Sequence, residues 1–101
     1  MGQFALTEAV YYILLSLQSP LHGYGIIQNV EELSHGRVKL AAGTLYGAIN
    51  TLLEKHWIEA LKEDPESRKK EYVITPAGKT VLEEELQRLK ELVENGTRLL
   101  K

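Results

Sequence analysis

The sequence predicts a mainly α-helical fold with one small β-hairpin, an α+β class, and three observations lead to that prediction. Apolar residues recur at helical spacing in four segments of the chain. Two short stretches that read as strands lie between the third and fourth of these segments. A polar stretch with turn-forming residues separates the two strands. Because the chain has 101 residues and no internal repeat, we expect one domain with a modest core.

The first two helical segments have recognisable start and stop signals. Thr7 is a suitable N-cap for the first, a helix of about ten residues that ends at residues 19–20, because proline cannot continue a helix. The second begins in residues 22–25 and stops near residues 34–36, where glycine can take the left-handed cap conformation. Residues 38–40 then alternate in polarity and predict a short strand.

The third helical segment, residues 43–55, has an unusual outer face. Its apolar stripe is formed by Leu45, Ala48, Ile49 and Leu52. The opposite side holds small or hydrogen-bonding residues, Gly43, Tyr46, Gly47 and Asn50, with Thr44 and Thr51 beside them. A glycine inside a helix costs up to about 1 kcal/mol relative to alanine, and a merely solvated face would carry lysine and glutamate. We therefore predict that a partner approaches this face closely.

The two strands predict a hairpin with a charged tip. The strands are residues 57–62 and 71–74, and the loop between them ends in Arg68, Lys69 and Lys70. Such charges are solvated loop residues in most proteins. Their position after the unusual third helix instead favours contacts with phosphate groups.

The last segment predicts a long helix that begins at Thr75 as cap and Pro76 in the first turn. If residues 76–100 were all helical, the helix would be about 35 Å long and part of it would project from so small a domain. Its apolar stripe is therefore expected to pair with a second copy, together with the first helix. The predicted dimer interface consists of Val10, Leu14, Leu82, Leu86, Leu89 and Val93. Residues 95–96 are expected to fray or bend the helix end, so that Leu99 and Leu100 contribute little.

Three helices, a hairpin and a long helix form the element order of a winged helix-turn-helix domain. We assign residues 1–75 to that DNA-binding part and residues 76–101 to the dimerisation helix. In such a fold the third helix enters the major groove of double-stranded DNA and the hairpin reaches the backbone. The predicted contacts are Tyr24, Gly43, Thr44, Tyr46, Gly47, Asn50, Arg68, Lys69 and Lys70. A phosphate contact and a packed aromatic side chain fit Tyr24 equally well, and Arg37 and Lys39 have a weaker claim to the same surface.

Composition limits the other function classes. The formal net charge is −2, so DNA binding has to rest on local charge placement. The chain has no cysteine, its apolar runs are too short for a membrane span, and we expect a cytoplasmic protein. The sequence has no catalytic triad, no metal-ligand spacing and no phosphate-binding loop. We therefore expect that the protein is not an enzyme and that it binds neither a metal nor a cofactor.

An ordered set of motifs resembles the PadR family of transcriptional regulators. The motifs are residues 21–26, residues 43–48, residues 52–55, residues 67–75 and Gly78. The length resembles the short subgroup, which has a single C-terminal helix after the winged domain. The resemblance implies a homodimeric repressor that binds an inverted repeat and is released by a small, often aromatic, effector.

Two departures from that family pattern affect the prediction. Many members place a glycine where this chain has His56, a residue that tolerates the left-handed region at some cost. The last helix carries no aromatic residue, so it lacks the tryptophan on which a flat-drug pocket of that kind is built. Phe4, Tyr11 and Tyr12 are the alternative effector contacts, although such aromatics more often belong to the core. The competing function is a winged-helix module that contacts proteins without binding DNA.

Overall fold

A computed structural model describes residues 5–61 and 69–101. The elements in chain order are α1 (Glu8–Ser16), β1 (Leu21–His22), α2 (Gly23–Leu33), α3 (Ala42–Glu54), β2 (Ile58–Ala60), β3 (Glu71–Ile74) and α4 (Pro76–Leu99). The predicted class is confirmed: the fold is mainly helical with a small antiparallel sheet, in a winged-helix arrangement.

The sheet has three strands in the order β1-β3-β2, one more than the predicted hairpin. β3 pairs with β2 through Ile58 and Ile74, and with β1 through Leu21 and Tyr72. The extra strand is only two residues long and follows Pro20, so it carries no alternating pattern that a sequence can reveal. The strand predicted at residues 38–40 was wrong, since that segment is an irregular connection between α2 and α3.

The α1 helix begins as predicted and ends early. The side chain of Thr7 accepts a hydrogen bond from the backbone N–H of Val10 at 3.1 Å. The helix ends at Ser16, ahead of the predicted stop at residues 19–20. The carbonyl of Leu17 instead accepts a bond from the N–H of Ile74 at 2.9 Å, which joins the helix end to the sheet.

Left-handed backbone occurs at the two helix ends where the sequence places it. Gly36 has φ of 81° after α2, and its neighbour His35 has φ of 54°. His56 has φ of 61° after α3, which confirms that histidine replaces glycine in that turn.

The core lies between the helices and the sheet, and α1, α2 and α3 each contribute a buried stripe. The buried apolar residues are Ile13, Leu14, Leu17, Ile26, Val30, Leu45, Ile49, Leu52, Ile58, Tyr72, Ile74 and Leu82. Only the last of these belongs to α4. The core therefore belongs mainly to the winged domain.

The α4 helix starts with the predicted cap and continues past its predicted weak point. Thr75 accepts a hydrogen bond from the N–H of Gly78 at 3.1 Å. A Cβ at Gly78 would lie 2.1 Å from the carbonyl oxygen of Trp57, so only glycine lets α4 pass this close to the turn before β2. The expected fraying at residues 95–96 was wrong, because the helix is continuous to Leu99.

A buried carboxylate anchors the middle of α4 to the start of α1. Glu85 is 1% exposed, and Arg88 donates two hydrogen bonds to it at 2.7 Å each. The backbone N–H of Leu6 donates a third at 2.9 Å. The bonds from Arg88 are the main cause that lowers the pKa of Glu85, against the opposing effect of burial. This contact ties α4 to the segment that precedes α1.

Candidate nucleic-acid interface

The two faces of α3 are separated as the sequence predicts. Leu45, Ile49 and Leu52 are buried in the core. The opposite face is exposed and consists of Gly43, Thr44, Tyr46, Gly47, Asn50 and Thr51. These side chains offer hydroxyl and amide groups, which can contact both phosphates and base edges.

The glycines on this face are not required by the packing of the protein. A Cβ built at Gly43 or Gly47 meets no atom of another element within 4 Å among the described residues. Alanine would fit at both positions and would favour the helix by up to about 1 kcal/mol each. Packing within the described part of the protomer therefore does not explain why these two residues are glycine.

Tyr46 links α3 to the start of α2. Its side chain is 45% exposed, and a Cβ at Gly23 would lie 2.3 Å from its hydroxyl oxygen. Gly23 thus lets the tyrosine lie over the first turn of α2 while the rest of its surface stays accessible. Sequence reasoning missed this role of Gly23, although the glycine at a helix start was a visible signal.

Tyr24 stands at the start of α2 and is 65% exposed. The alternative of a packed aromatic side chain was wrong, whereas the phosphate contact stays a prediction. His22 caps this helix, and its Nδ1 accepts a hydrogen bond from the N–H of Gly25 at 3.1 Å. The free N–H groups and the dipole of a helix start favour an anion nearby.

The basic end of the hairpin loop is described in part. Lys69 and Lys70 are exposed immediately before β3, and Arg68 lies outside the described residues. Their contacts with DNA stay a prediction.

Arg37, in the connection between α2 and α3, is engaged by a carboxylate of the protein. It forms an exposed ion pair with Glu8 of α1. The hydrogen bond between them is the main cause that lowers the pKa of Glu8, and it raises the pKa of Arg37. A DNA phosphate would have to displace Glu8 from this guanidinium. The ion pair therefore agrees with the lower rank that the sequence gave Arg37 among the predicted DNA contacts.

The predicted dimer residues fall into two groups. Leu14 and Leu82 are buried within the protomer, whose own core accounts for them without a partner. Leu86 is 40% and Val93 67% exposed on α4, with Leu89 between them, and Val10 is half-buried on α1. Leu86, Leu89, Lys90, Val93 and Glu94 line one shallow groove along α4. Beyond the sequence prediction, Leu92 and Leu99 are also exposed.

Two of the three predicted effector contacts lie beside α4. Tyr11 and Tyr12 are half-buried with ring centroids 6.2 Å apart, and Phe4 lies outside the described residues. Tyr11 lines a cavity of about 220 Å³ against Leu82 and a second of about 280 Å³ against Glu85. These cavities border the exposed stripe of α4.

The described part of the chain offers neither a metal site nor a membrane span. No three of its His, Asp and Glu residues lie close enough together to hold a metal ion. No helix within residues 5–61 and 69–101 combines the length and the apolar character needed to cross a bilayer.

Comparison with known proteins identifies relatives in sequence and in structure. The profile of the family described as "Transcriptional regulator PadR-like family" matches residues 12–84. An uncharacterised 37.1 kDa protein in a transposon of Streptomyces fradiae is 38% identical over 79 residues, which cover 77% of this chain and 22% of that protein. The chain thus spans about a fifth of that relative's length.

Two solved structures have the same fold over nearly the whole chain. A PadR family transcription regulator from Clostridium difficile has a TM-score of 0.79 at 22% identity and covers 94% of this chain and 100% of its own. A PadR family transcriptional regulator from Eggerthella lenta has a TM-score of 0.75 at 25% identity and covers 91% of this chain and 80% of its own.

Proposed function

The chain belongs to the PadR-like family of transcriptional regulators, and we propose that it is a homodimeric repressor that binds an inverted repeat in double-stranded DNA. The observation that carries the proposal is the exposed face of α3, where Gly43 and Gly47 leave open space that nothing in the described protomer fills. A helix that enters the major groove needs a face without bulky side chains at such positions, so that its other side chains can reach the bases.

The polar groups of the predicted interface have separate roles in the proposal. Asn50 is suited to a bidentate contact with adenine, and Thr44 and Tyr46 offer hydroxyl groups to phosphates or bases. Tyr24 and the start of α2 contact a backbone phosphate. Lys69 and Lys70, with Arg68, contact phosphates beside the groove.

The second half of α4 supplies the proposed dimer contact. Leu86, Leu89 and Val93 form an apolar stripe, and burying such a side chain fully is worth about 1.5–3 kcal/mol. A two-fold dimer places its two α3 helices about one turn of DNA apart, which matches an inverted repeat.

Release by a small molecule completes the proposal. The cavities that Tyr11 lines lie between α1 and α4, the two helices assigned to the dimer. A small aromatic or hydrophobic effector bound there would alter the spacing of the two α3 helices.

The first experiment selects bound sequences from random DNA with the purified protein at low salt. We expect an inverted repeat whose half-sites lie about one helical turn apart. Failure to enrich any sequence would favour the alternative, a winged-helix module for protein contacts.

The second experiment uses Gly47→Ala, which separates stability from DNA binding. Because the added methyl group has open space in the protein, the free energy of unfolding should rise by up to about 1 kcal/mol, which thermal denaturation measures. Affinity for the selected DNA should fall at least fivefold, measured by fluorescence anisotropy, because the methyl group lies on the α3 face. The matched control is Gly96→Ala, which also has open space but lies on α4. Unchanged DNA affinity in Gly47→Ala would contradict the assigned face.

A further inference from the structure

The first residue of α2 is covered by a side chain of α3. Gly23 is buried, and a Cβ built there would lie 2.3 Å from the hydroxyl oxygen of Tyr46 and 2.9 Å from its Cζ. The Cδ2 atom of Leu45 would lie 3.5 Å from the same Cβ, which is an ordinary contact. The ring of Tyr46 therefore lies directly against the backbone of Gly23.

The contact with Tyr46, and not the backbone conformation, is what restricts residue 23 to glycine. Gly36 is the glycine with a positive φ in the described part of the chain, so Gly23 does not have the left-handed conformation that glycine favours. Alanine could take the same backbone, but its Cβ would overlap the tyrosine hydroxyl unless the ring moved. The close approach of Tyr46 therefore excludes a larger residue at this position.

This contact joins the two elements on which the proposed DNA interface is built. Tyr24 follows Gly23 and is exposed at the start of α2. Asn50 lies one turn after Tyr46 on the exposed face of α3. The distance between the two elements has to match the spacing between a backbone phosphate and the base edges, because both contacts are made to one half-site. The ring of Tyr46 lies between the two elements and keeps them at that distance.

We propose that Tyr46 is a positioning residue for DNA binding, which holds the start of α2 in place against α3. Its ring aligns the phosphate contact of α2 with the base contacts of α3, separately from the hydroxyl group that it offers to DNA. Gly23 is the other half of the contact, because it has no side chain that could touch DNA and still affects DNA affinity. This inference rests on the proposed function.

The contact itself is observable without DNA. In nuclear magnetic resonance spectra of the full-length protein, a nuclear Overhauser effect should connect the Hε ring protons of Tyr46 with the Hα protons of Gly23, because the ring lies against this backbone. Its absence from the folded parent protein would overturn the inference, whatever DNA the protein binds.

DNA affinity is then measured by fluorescence anisotropy on the sequence that the parent protein selects. Gly23→Ala should lower the affinity about tenfold or more, because the new methyl group displaces the ring. Tyr46→Leu should lower it by a similar factor, whereas Tyr46→Phe keeps the ring and should lose at most about threefold. Equal losses in Tyr46→Phe and Tyr46→Leu would assign the whole effect to the hydroxyl group and overturn the proposal.

A double-mutant cycle separates positioning from two independent effects. In Tyr46→Leu the shorter side chain leaves room for a Cβ at position 23, so the addition of Gly23→Ala should cost less than about twofold further. Losses that multiply, to about 100-fold or more in the double variant, would show that the two residues act independently. That result would contradict the proposal.

Gly78→Ala is the matched control for lost packing. Its Cβ would also meet protein atoms, at the carbonyl of Trp57, but on α4. At a temperature where circular dichroism shows both alanine variants to be folded, its DNA affinity should stay within about twofold of the parent. A loss as large as that in Gly23→Ala would assign the effect to general destabilisation and overturn the inference.

The outcomes distinguish this inference from the proposed function. A protein that selects no DNA would remove both. Multiplying losses in the double-mutant cycle, measured on DNA that the protein does select, would remove the positioning role and leave the proposed function intact.

Discussion

The two halves of α4 share one apolar pattern but meet different surroundings. In residues 76–85, Gly78, Leu82 and Glu85 are buried against the winged domain. In residues 86–99 no residue is buried, and Leu86, Leu92 and Val93 are exposed. Helical spacing of leucines shows that a face is apolar, but it does not show whether the same chain or a second copy covers it. Four experiments, described in order of decreasing expected effect on protomer stability, test this difference between the halves.

The largest expected effect comes from Leu82→Ala in the anchored half. Removal of a buried leucine side chain should lower the free energy of unfolding by about 2–5 kcal/mol, because it leaves a cavity in the core. Urea denaturation monitored by circular dichroism measures this. The same substitution at Leu92, which is exposed, should cost far less. Equal losses at the two positions would show that both halves are buried alike.

A smaller loss is expected from Gly78→Ala. The new methyl group would meet the backbone carbonyl of Trp57, and such overpacking costs about 1–3 kcal/mol. Gly96→Ala in the other half has open space and should stabilise the helix by up to about 1 kcal/mol. Opposite signs in thermal denaturation are the expected outcome, and a loss of stability in both variants would contradict the difference in packing.

Glu85→Gln should cost about 1 kcal/mol at pH 7, a modest figure because Arg88 is partly in water. The hydrogen bonds from Arg88 lower the pKa of Glu85 in the folded state. The ionised carboxylate of Glu85 therefore stabilises the fold fully above the pKa of the unfolded state, about 4.3. This stabilisation is lost as the pH falls through the lower pKa of the folded state. The stability gap between parent and variant should narrow from pH 6 to pH 3. A gap independent of pH would mean that the carboxylate charge does not anchor α4.

The smallest effect on the protomer is expected from Leu86→Asp combined with Val93→Asp. Both side chains are exposed, so the far-ultraviolet circular dichroism should stay helical. The proposed dimer should dissociate, with its Kd raised about 100-fold or more, because charges would be buried in the seam. Sedimentation velocity across a concentration series measures this. A double variant that is still dimeric would place the interface elsewhere on the protein.

The confirmed predictions rested on caps, helical apolar spacing and a turn residue, which are signals from residues close together in the chain. Thr7 and Thr75 cap their helices, and the two faces of α3 follow from its apolar spacing. His56 adopts the left-handed conformation that the end of α3 requires. In each case the residues that decide the structure lie within a few positions of one another.

Two of the departures from prediction involve a partner that is distant in the chain, and a third concerns residues 38–40. The strand β1 exists because Leu21 and His22 pair with β3, fifty residues later. The carbonyl of Leu17, just beyond the end of α1, accepts its hydrogen bond from the distant Ile74. Residues 38–40 alternate in polarity yet form no strand in the described part of the chain, and Val38 and Leu40 pack on the core. No local pattern carries this information.

The candidate sites show the same division. The sequence indicated the exposed face of α3, because its small residues are visible in the pattern. It did not indicate that Tyr46 lies over Gly23, or that Arg37 pairs with Glu8 of α1. Each of these contacts joins two separate parts of the chain and arises only when the helices pack.

The sequence by itself determined the presence and order of the four helices, the caps at Thr7 and Thr75 and the apolar face of α3, because periodicity and capping act over one or two turns. The tertiary structure decided which half of α4 is packed on the domain and which is exposed. It also decided where the grooves lie. The physical reason is that burial depends on what packs against a side chain, and the packing partner is set by the whole fold.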